Sequence, residues 1–115
     1  MRIMIAVQNK VLESALISLI DLFASGDEIL SCSDQNSFFK NIKKANINLV
    51  LLDWDFFDSK TREVIRLSKQ YNPLTRLICM DTHHDNVKKD NAGADAFYYK
   101  SNPPVELLNL INGFR

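Results

Sequence analysis

Asn48-Leu49-Val50-Leu51-Leu52-Asp53-Trp54-Asp55 is the stretch whose reading decides the fold. Four apolar residues in a row, without polar alternation, predict a strand buried on both faces, as in a parallel sheet covered by helices. The run then stops on carboxylates, so its end is expected at a chemically useful edge and not within the core. Arg76-Leu77-Ile78-Cys79-Met80 repeats the pattern and ends at Asp81. Arg2-Ile3-Met4-Ile5-Ala6-Val7 is a third such run, ending at Gln8-Asn9. Glu28-Ile29-Leu30-Ser31-Cys32 is less apolar and reads as an edge strand, and Ala96-Phe97-Tyr98-Tyr99 is a fifth strand ending at Lys100.

Helical periodicity fills the intervals. From Lys10 to Phe23, Leu12, Ala15, Leu16, Leu19, Ile20 and Phe23 recur at three and four, with Asn9 as the cap, and Ser25-Gly26-Asp27 breaks the helix. Ser33 or Asp34 caps a second helix whose apolar face is Phe38, Phe39 and Ile42. A third spans Thr61 to Tyr71 before Pro73, and a short polar fourth opens at Thr82-His83-His84-Asp85. Gly93-Ala94-Asp95 turns the chain into the fifth strand. Pro103 and Pro104 start a last helix with Val105, Leu107, Leu108, Ile111 and Phe114 facing inward. Five strand-then-helix units predict an α/β fold, a doubly wound five-stranded parallel sheet with right-handed crossovers. In such sheets the crevice outside the carboxyl ends of the strands is the working rim, and it collects Gln8, Asn9, Asp53, Asp81 and Lys100.

Composition narrows the function classes. A chain of 115 residues is the size of one domain, taken as 1–115, and 46% apolar with 24% charged residues excludes a disordered or fibrous chain. Fourteen basic and fourteen acidic side chains cancel, so nucleic-acid binding by this domain alone is not expected. No apolar run approaches the roughly twenty residues of a membrane helix, and no cationic-then-apolar leader opens the chain; a cytoplasmic protein without membrane contact is expected. Cys32 and Cys79 sit in or beside apolar runs and read as reduced, buried thiols. A Gly-rich phosphate loop, a nucleophile elbow and a metal-spaced Cys/His cluster are all missing, so the chain is not expected to be an enzyme.

With these residues in place, the chain resembles the receiver domain of bacterial two-component response regulators, a flavodoxin-like (βα)5 fold. Leu49-Val50-Leu51-Leu52-Asp53-Trp54 is similar to the phospho-acceptor strand, and Ala92-Gly93-Ala94-Asp95-Ala96-Phe97-Tyr98-Tyr99-Lys100 to the fifth-strand lysine segment. The resemblance implies strand order 2-1-3-4-5, Asp53 as acceptor of a phosphoryl group from a sensor histidine kinase, Lys100 as its partner, and Phe97 as the aromatic that moves on activation. It also implies pairing through the fourth helix, fifth strand and last helix, where Lys88, Lys89, Asp90, Asp95 and Glu106 offer both signs of charge for a weak homodimer.

The chain departs from that family where charge matters. The acidic pair after the first strand is Gln8 and Asn9, which keep oxygens and lose both charges. The hydroxyl ending the fourth strand is replaced by Asp81, with Thr82 one position later; the proline after the lysine is Ser101, and the one four residues after the acceptor is Phe57. Phosphoryl transfer to a carboxylate takes a divalent cation held by more than one carboxylate, so Mg²⁺ binding is expected to be weak or absent, with no resident cofactor. These losses serve one site, and they describe a degenerate or pseudo-receiver acting through protein contacts with a sensor kinase, or an output or effector protein. Asp53, Asp81 and Lys100 would then form a buried charge network in place of phosphate. An ordinary phosphoreceiver and a flavodoxin-like small-ligand module are the alternatives.

Plainer readings stand beside these. Asp53 is at minimum a strand-end cap. Asp55 and Asp58 read as solvated loop charges, with Asp55 also a candidate for a relocated cation site with Asp53 and Asp81. His83 and His84 read as a solvated loop, since adjacent residues do not face one metal from a regular element. Phe97, Tyr98 and Tyr99 read first as strand packing. Trp54, Phe56 and Phe57 are either buried under the rim or exposed as a docking patch.

Overall fold

The computed structural model describes residues 1–23, 26–44, 46–82 and 93–115. The expected fourth helix, His83, His84, Lys88, Lys89 and Asp90 lie outside the described residues, as do Ser25 and the side chain of Phe23. Five strands, β1 (Arg2–Ala6), β2 (Glu28–Cys32), β3 (Leu49–Asp53), β4 (Arg76–Asp81) and β5 (Ala96–Tyr99), form one sheet in the order β2-β1-β3-β4-β5. Every adjacent pair is parallel. The fold class is the expected one, with β3 central and buried along its whole length and β2 at an edge with Glu28 and Ser31 exposed.

The helices are α1 (Lys10–Phe23), α2 (Gln35–Lys44), α3 (Thr61–Tyr71) and a C-terminal helix (Pro104–Gly113); a 3₁₀ segment, Trp54–Lys60, links β3 to α3. Successive side chains of a strand leave on opposite faces, and that period of two sorts the core. Met4, Ala6, Val50, Leu52, Leu77 and Cys79 pack one face against Phe38, Ile42, Val64 and Ile65 of α2 and α3. Ile3, Ile5, Leu49, Leu51, Ile78 and Met80 pack the other against Leu16, Ile20, Leu107 and Ile111 of α1 and the C-terminal helix. Cys32 and Cys79 are both buried, and neither forms a disulfide.

Capping follows the sequence. Asn9 Oδ1 accepts from the amides of Val11 (2.9 Å) and Leu12 (3.1 Å), and Asp34 Oδ1 from that of Ser37 (2.7 Å). Two inward assignments are corrected: Ala15 is exposed while Ile17 packs, and Val105 is 57% exposed because it lies on the outer side of the first turn of its helix. Trp54, Phe56 and Phe57 are 4, 2 and 2% exposed, so they are core and not a docking patch. Phe57 stacks edge-on against Phe38 (5.0 Å) and Phe56 (4.9 Å), which gives three rings a shared apolar seat beneath the loop.

Two carboxylates brace the remainder of the sheet. Asp95 pairs with Lys69 of α3 and, at 3.3 Å, with Arg76, and accepts the Leu77 amide at 2.8 Å. Burial works to raise its pKa, and the Lys69 and Leu77 hydrogen bonds outweigh it and hold the carboxyl below its usual value. Asp27 joins the two ends of the chain, meeting the Met1 ammonium at 2.9 Å and Arg115 at 2.5 Å.

Candidate functional site

The rim is built by β3 and β5 from their alternation. Asp53 shares a face with Leu49 and Leu51, and Lys100 follows β5 in phase with Tyr98, so both side chains emerge on the α1 side of the sheet. There Lys100 Nζ donates to Asp53 Oδ2 at 2.8 Å. The side chains are 12% (Asp53) and 24% (Lys100) exposed, a pair half out of water. The second Asp53 oxygen, Oδ1, accepts the Asp55 amide at 3.2 Å and so caps the 3₁₀ segment. The opposite phase brings Phe97 to Trp54, ring centroids 6.4 Å apart, where Phe97 is half-buried on the α3 side.

Asp81 takes a different place from the one expected. Asp53 lies opposite Met80 in the β3–β4 register, so Asp81, one residue further, is directed to the other face. It is 4% exposed, and its Oδ1 accepts the Thr82 amide at 2.7 Å. It meets Lys100 through the backbone, with the Lys100 amide donating to the Asp81 carbonyl at 2.8 Å. The expected triangle of Asp53, Asp81 and Lys100 side chains is therefore replaced by one side-chain pair and one backbone bond.

The other predicted rim residues are peripheral. Gln8, Asn9, Asp55 and Thr82 are all exposed. Asn9 is not a free oxygen donor, because its Oδ1 is already committed to two α1 amides. Among the described residues no group of three acidic, His or Cys side chains could hold a metal, so Asp55 does not complete a relocated site with Asp53 and Asp81. This donor set does not suit a divalent cation, which takes several oxygen ligands with carboxylates among them.

Thr61 and Tyr98, expected only as a helix start and as strand packing, also carry positioning hydrogen bonds. Thr61, 1% exposed, donates its hydroxyl to the Trp54 carbonyl at 2.5 Å and lies 3.1 Å from that of Asp58, tying the start of α3 to the residue after Asp53. Tyr98 donates its hydroxyl to the Asn102 carbonyl at 2.7 Å, and Asn102 N–H returns to Tyr99 O at 2.9 Å, so the turn carrying Lys100 is fixed from both sides. Burial and the negative charge of Glu106 push the Tyr98 hydroxyl pKa up, keeping it a donor. The only signal was a polar atom at a position the apolar pattern marks as buried.

No protein-family model and no curated protein sequence matches the chain. Solved structures do. A CheY-like response regulator receiver domain protein from Methanospirillum hungatei JF-1 is 23% identical, with 97% of this chain and 90% of that chain covered and a TM-score of 0.83. The N-terminal signal receiver domain of a two-component response regulator from Bacteroides fragilis is 20% identical, with 99% and 96% covered and a TM-score of 0.84. RcsB from Salmonella enterica serovar Typhimurium, bound to promoter rprA in the presence of the phosphomimetic BeF3⁻, is 13% identical, with 100% of this chain and 68% of that chain covered and a TM-score of 0.85. At these identities the likeness establishes architecture, and the chain has the flavodoxin-like, CheY-like fold of response-regulator receivers.

Proposed function

We propose that this chain is a receiver-like signalling module of a two-component system that works through protein contacts, its rim held by the Asp53–Lys100 pair without efficient Mg²⁺-dependent phosphorylation. One observation carries the reading: Lys100 sits 2.8 Å from Asp53 in a rim whose acidic pair has become Gln8 and Asn9, and Asn9 spends its oxygen on a helix cap. A lysine already neutralises the acceptor position, and no carboxylate pair remains beside it to recruit the cation that phosphoryl transfer requires.

The ordinary phosphoreceiver is kept as a second reading because Asp53 still ends the central strand with Lys100 in reach. A small-ligand module has less support, since the cavity below Lys100, lined by Leu12, Leu16, Met80, Tyr98 and Leu107, is about 220 Å³ and ligand pockets run to roughly 300–1,000 Å³. Partners are a sensor kinase or an output or effector protein, with a cytoplasmic setting. Of the charges expected to serve a homodimer, Asp95 is consumed by Lys69 and Arg76, and Glu106 is exposed. Self-association through that face is expected to be weak, because exposed ion pairs contribute little.

The test is intact-mass measurement after incubation with a small-molecule phosphodonor and Mg²⁺. No mass gain is the expected result. A phosphoryl adduct that disappears in Asp53→Asn would replace this reading with the ordinary phosphoreceiver.

A further inference from the structure

Asp58 is the sole non-glycine residue with a positive φ among the described residues, at φ 53° and ψ −123°. Both angles matter. The pair lies in a region that glycine fills without strain and an L side chain does not. Around the Cα–C bond of an L residue, Cβ stands about 120° from the backbone nitrogen by tetrahedral geometry, so ψ near −120° eclipses Cβ with the next residue's nitrogen. A planar five-membered ring through Cγ, Cβ, Cα, C and the following N requires that eclipse.

We propose that Asp58–Ser59 is a built-in site of succinimide formation and isoaspartate conversion, with the loop after β3 holding the backbone in the ring-closing conformation. The Ser59 nitrogen attacks Cγ of the protonated Asp58 carboxyl; the new N–Cγ bond forms as the carboxyl hydroxyl leaves with the amide proton as one water. Water then adds back at either ring carbonyl. Opening the N–Cγ bond restores aspartate; opening the bond from N to the original backbone carbonyl leaves the chain running through the side-chain carbon, an isoaspartate of unchanged mass.

Three features of the fold direct this chemistry to one residue. The Asp58 carbonyl oxygen turns with the same bond that sets ψ, and the buried Thr61 hydroxyl, 3.1 Å from it and anchored on Trp54, holds that rotation. Asp58 and Ser59 are both exposed, so water reaches the ring, and the small Ser59 side chain leaves the approach to Cγ open. Isoaspartate adds a methylene to the main chain at the strained residue and releases its φ. Two exposed aspartates are held away from this alignment: Asp21 lies inside α1, where ψ is near −42°, and Asp55 lies in the helical part of the 3₁₀ segment, just before the buried ring of Phe56.

The experiment ages the whole chain at neutral pH, folded and unfolded in urea, and maps isoaspartate by methyltransferase labelling and peptide fragmentation. Because the fold removes the conformational search at Asp58, isoaspartate there is expected roughly tenfold faster in the folded chain than in the unfolded one, and faster than at Asp21 or Asp55. Folded Thr61→Val, which frees ψ, is expected to fall toward the unfolded rate. If circular dichroism shows that variant unfolded, Asp58→Asn takes its place, with folded deamidation faster than unfolded as the expected result. A rate at residue 58 equal to or below that of the unfolded chain, in the parent or in Asp58→Asn, overturns the proposal.

Discussion

Replacing Lys100 by Met keeps the stem that lines the cavity with Met80 and Tyr98 and deletes only the charge that meets Asp53. Breaking one side of a fully buried pair costs about 3–5 kcal/mol, and an exposed pair is worth about 0–1 kcal/mol. With side chains 12% and 24% exposed, this pair falls between those limits. After the change, Asp53 retains one amide bond, from Asp55, and the carboxylate of Asp81 is directed to the other face and adds little repulsion. The expected loss is about 2 kcal/mol, which lowers the Tm by roughly 8 °C for a domain of this size. Urea unfolding read from the single tryptophan, Trp54, buried beneath the rim, measures it directly. Asp53→Asn and the double variant close a cycle, and the coupling energy is expected at about 1–2 kcal/mol. A coupling below about 0.5 kcal/mol would show that Lys100 is solvated and does not hold the rim.

Three further outcomes are expected. Asp27, whose side chain is 2% exposed, is held down to about 2 chiefly by its hydrogen bond from Arg115 and, against the opposing effect of burial, also by the Met1 ammonium. Its folded-state pKa is depressed, so its contribution is complete above the ordinary value near 3.8 and lost as pH falls through about 2. Asp27→Asn therefore costs about 1–2 kcal/mol at neutral pH, discounted because Arg115 is partly solvated, and flattens the acid limb between those values; an unchanged acid limb in equilibrium unfolding would contradict the assignment. Asp58→Gly removes the positive-φ strain and adds unfolded-chain entropy, for a net gain of about 0.5–1 kcal/mol in urea unfolding, and a loss of stability would show that the residue is unstrained. Millimolar Mg²⁺ is expected to leave Trp54 fluorescence unchanged, and saturable quenching would count against the cation-poor rim.

Much of the fold was legible because two periods carry it. The unalternated run Leu49–Leu52 required a sheet covered on both sides, and the three-and-four spacing of Leu12, Leu16 and Ile20 required a helix over it. Ala15 and Val105 were misplaced because small or first-turn apolar residues satisfy the same spacing without being buried. At the rim, the coming together of Asp53 and Lys100 follows from strand ends alone. The direction of Asp81 does not, because it depends on a β3–β4 register that no local pattern encodes, and a shift of one residue reverses the face. The positioning role of Thr61 escaped notice for a related reason: its partners are backbone carbonyls, which leave no mark in a sequence.

The charge on Asp53 is connected to the surface of the molecule by a short mechanical path. Its two oxygens hold different elements, Oδ2 the lysine after β5 and Oδ1 the first turn of the 3₁₀ segment. That segment begins with Trp54, whose ring meets Phe97 of β5 and whose carbonyl is tied by Thr61 to the start of α3. A partner that drew Lys100 away would free Oδ2 and leave Asp53 bonded only through the segment. Phe97 and Tyr98 leave β5 on opposite faces, Phe97 toward Trp54 and Tyr98 toward the turn that carries Lys100, so this four-residue strand and the segment after Asp53 join the two sides of the rim.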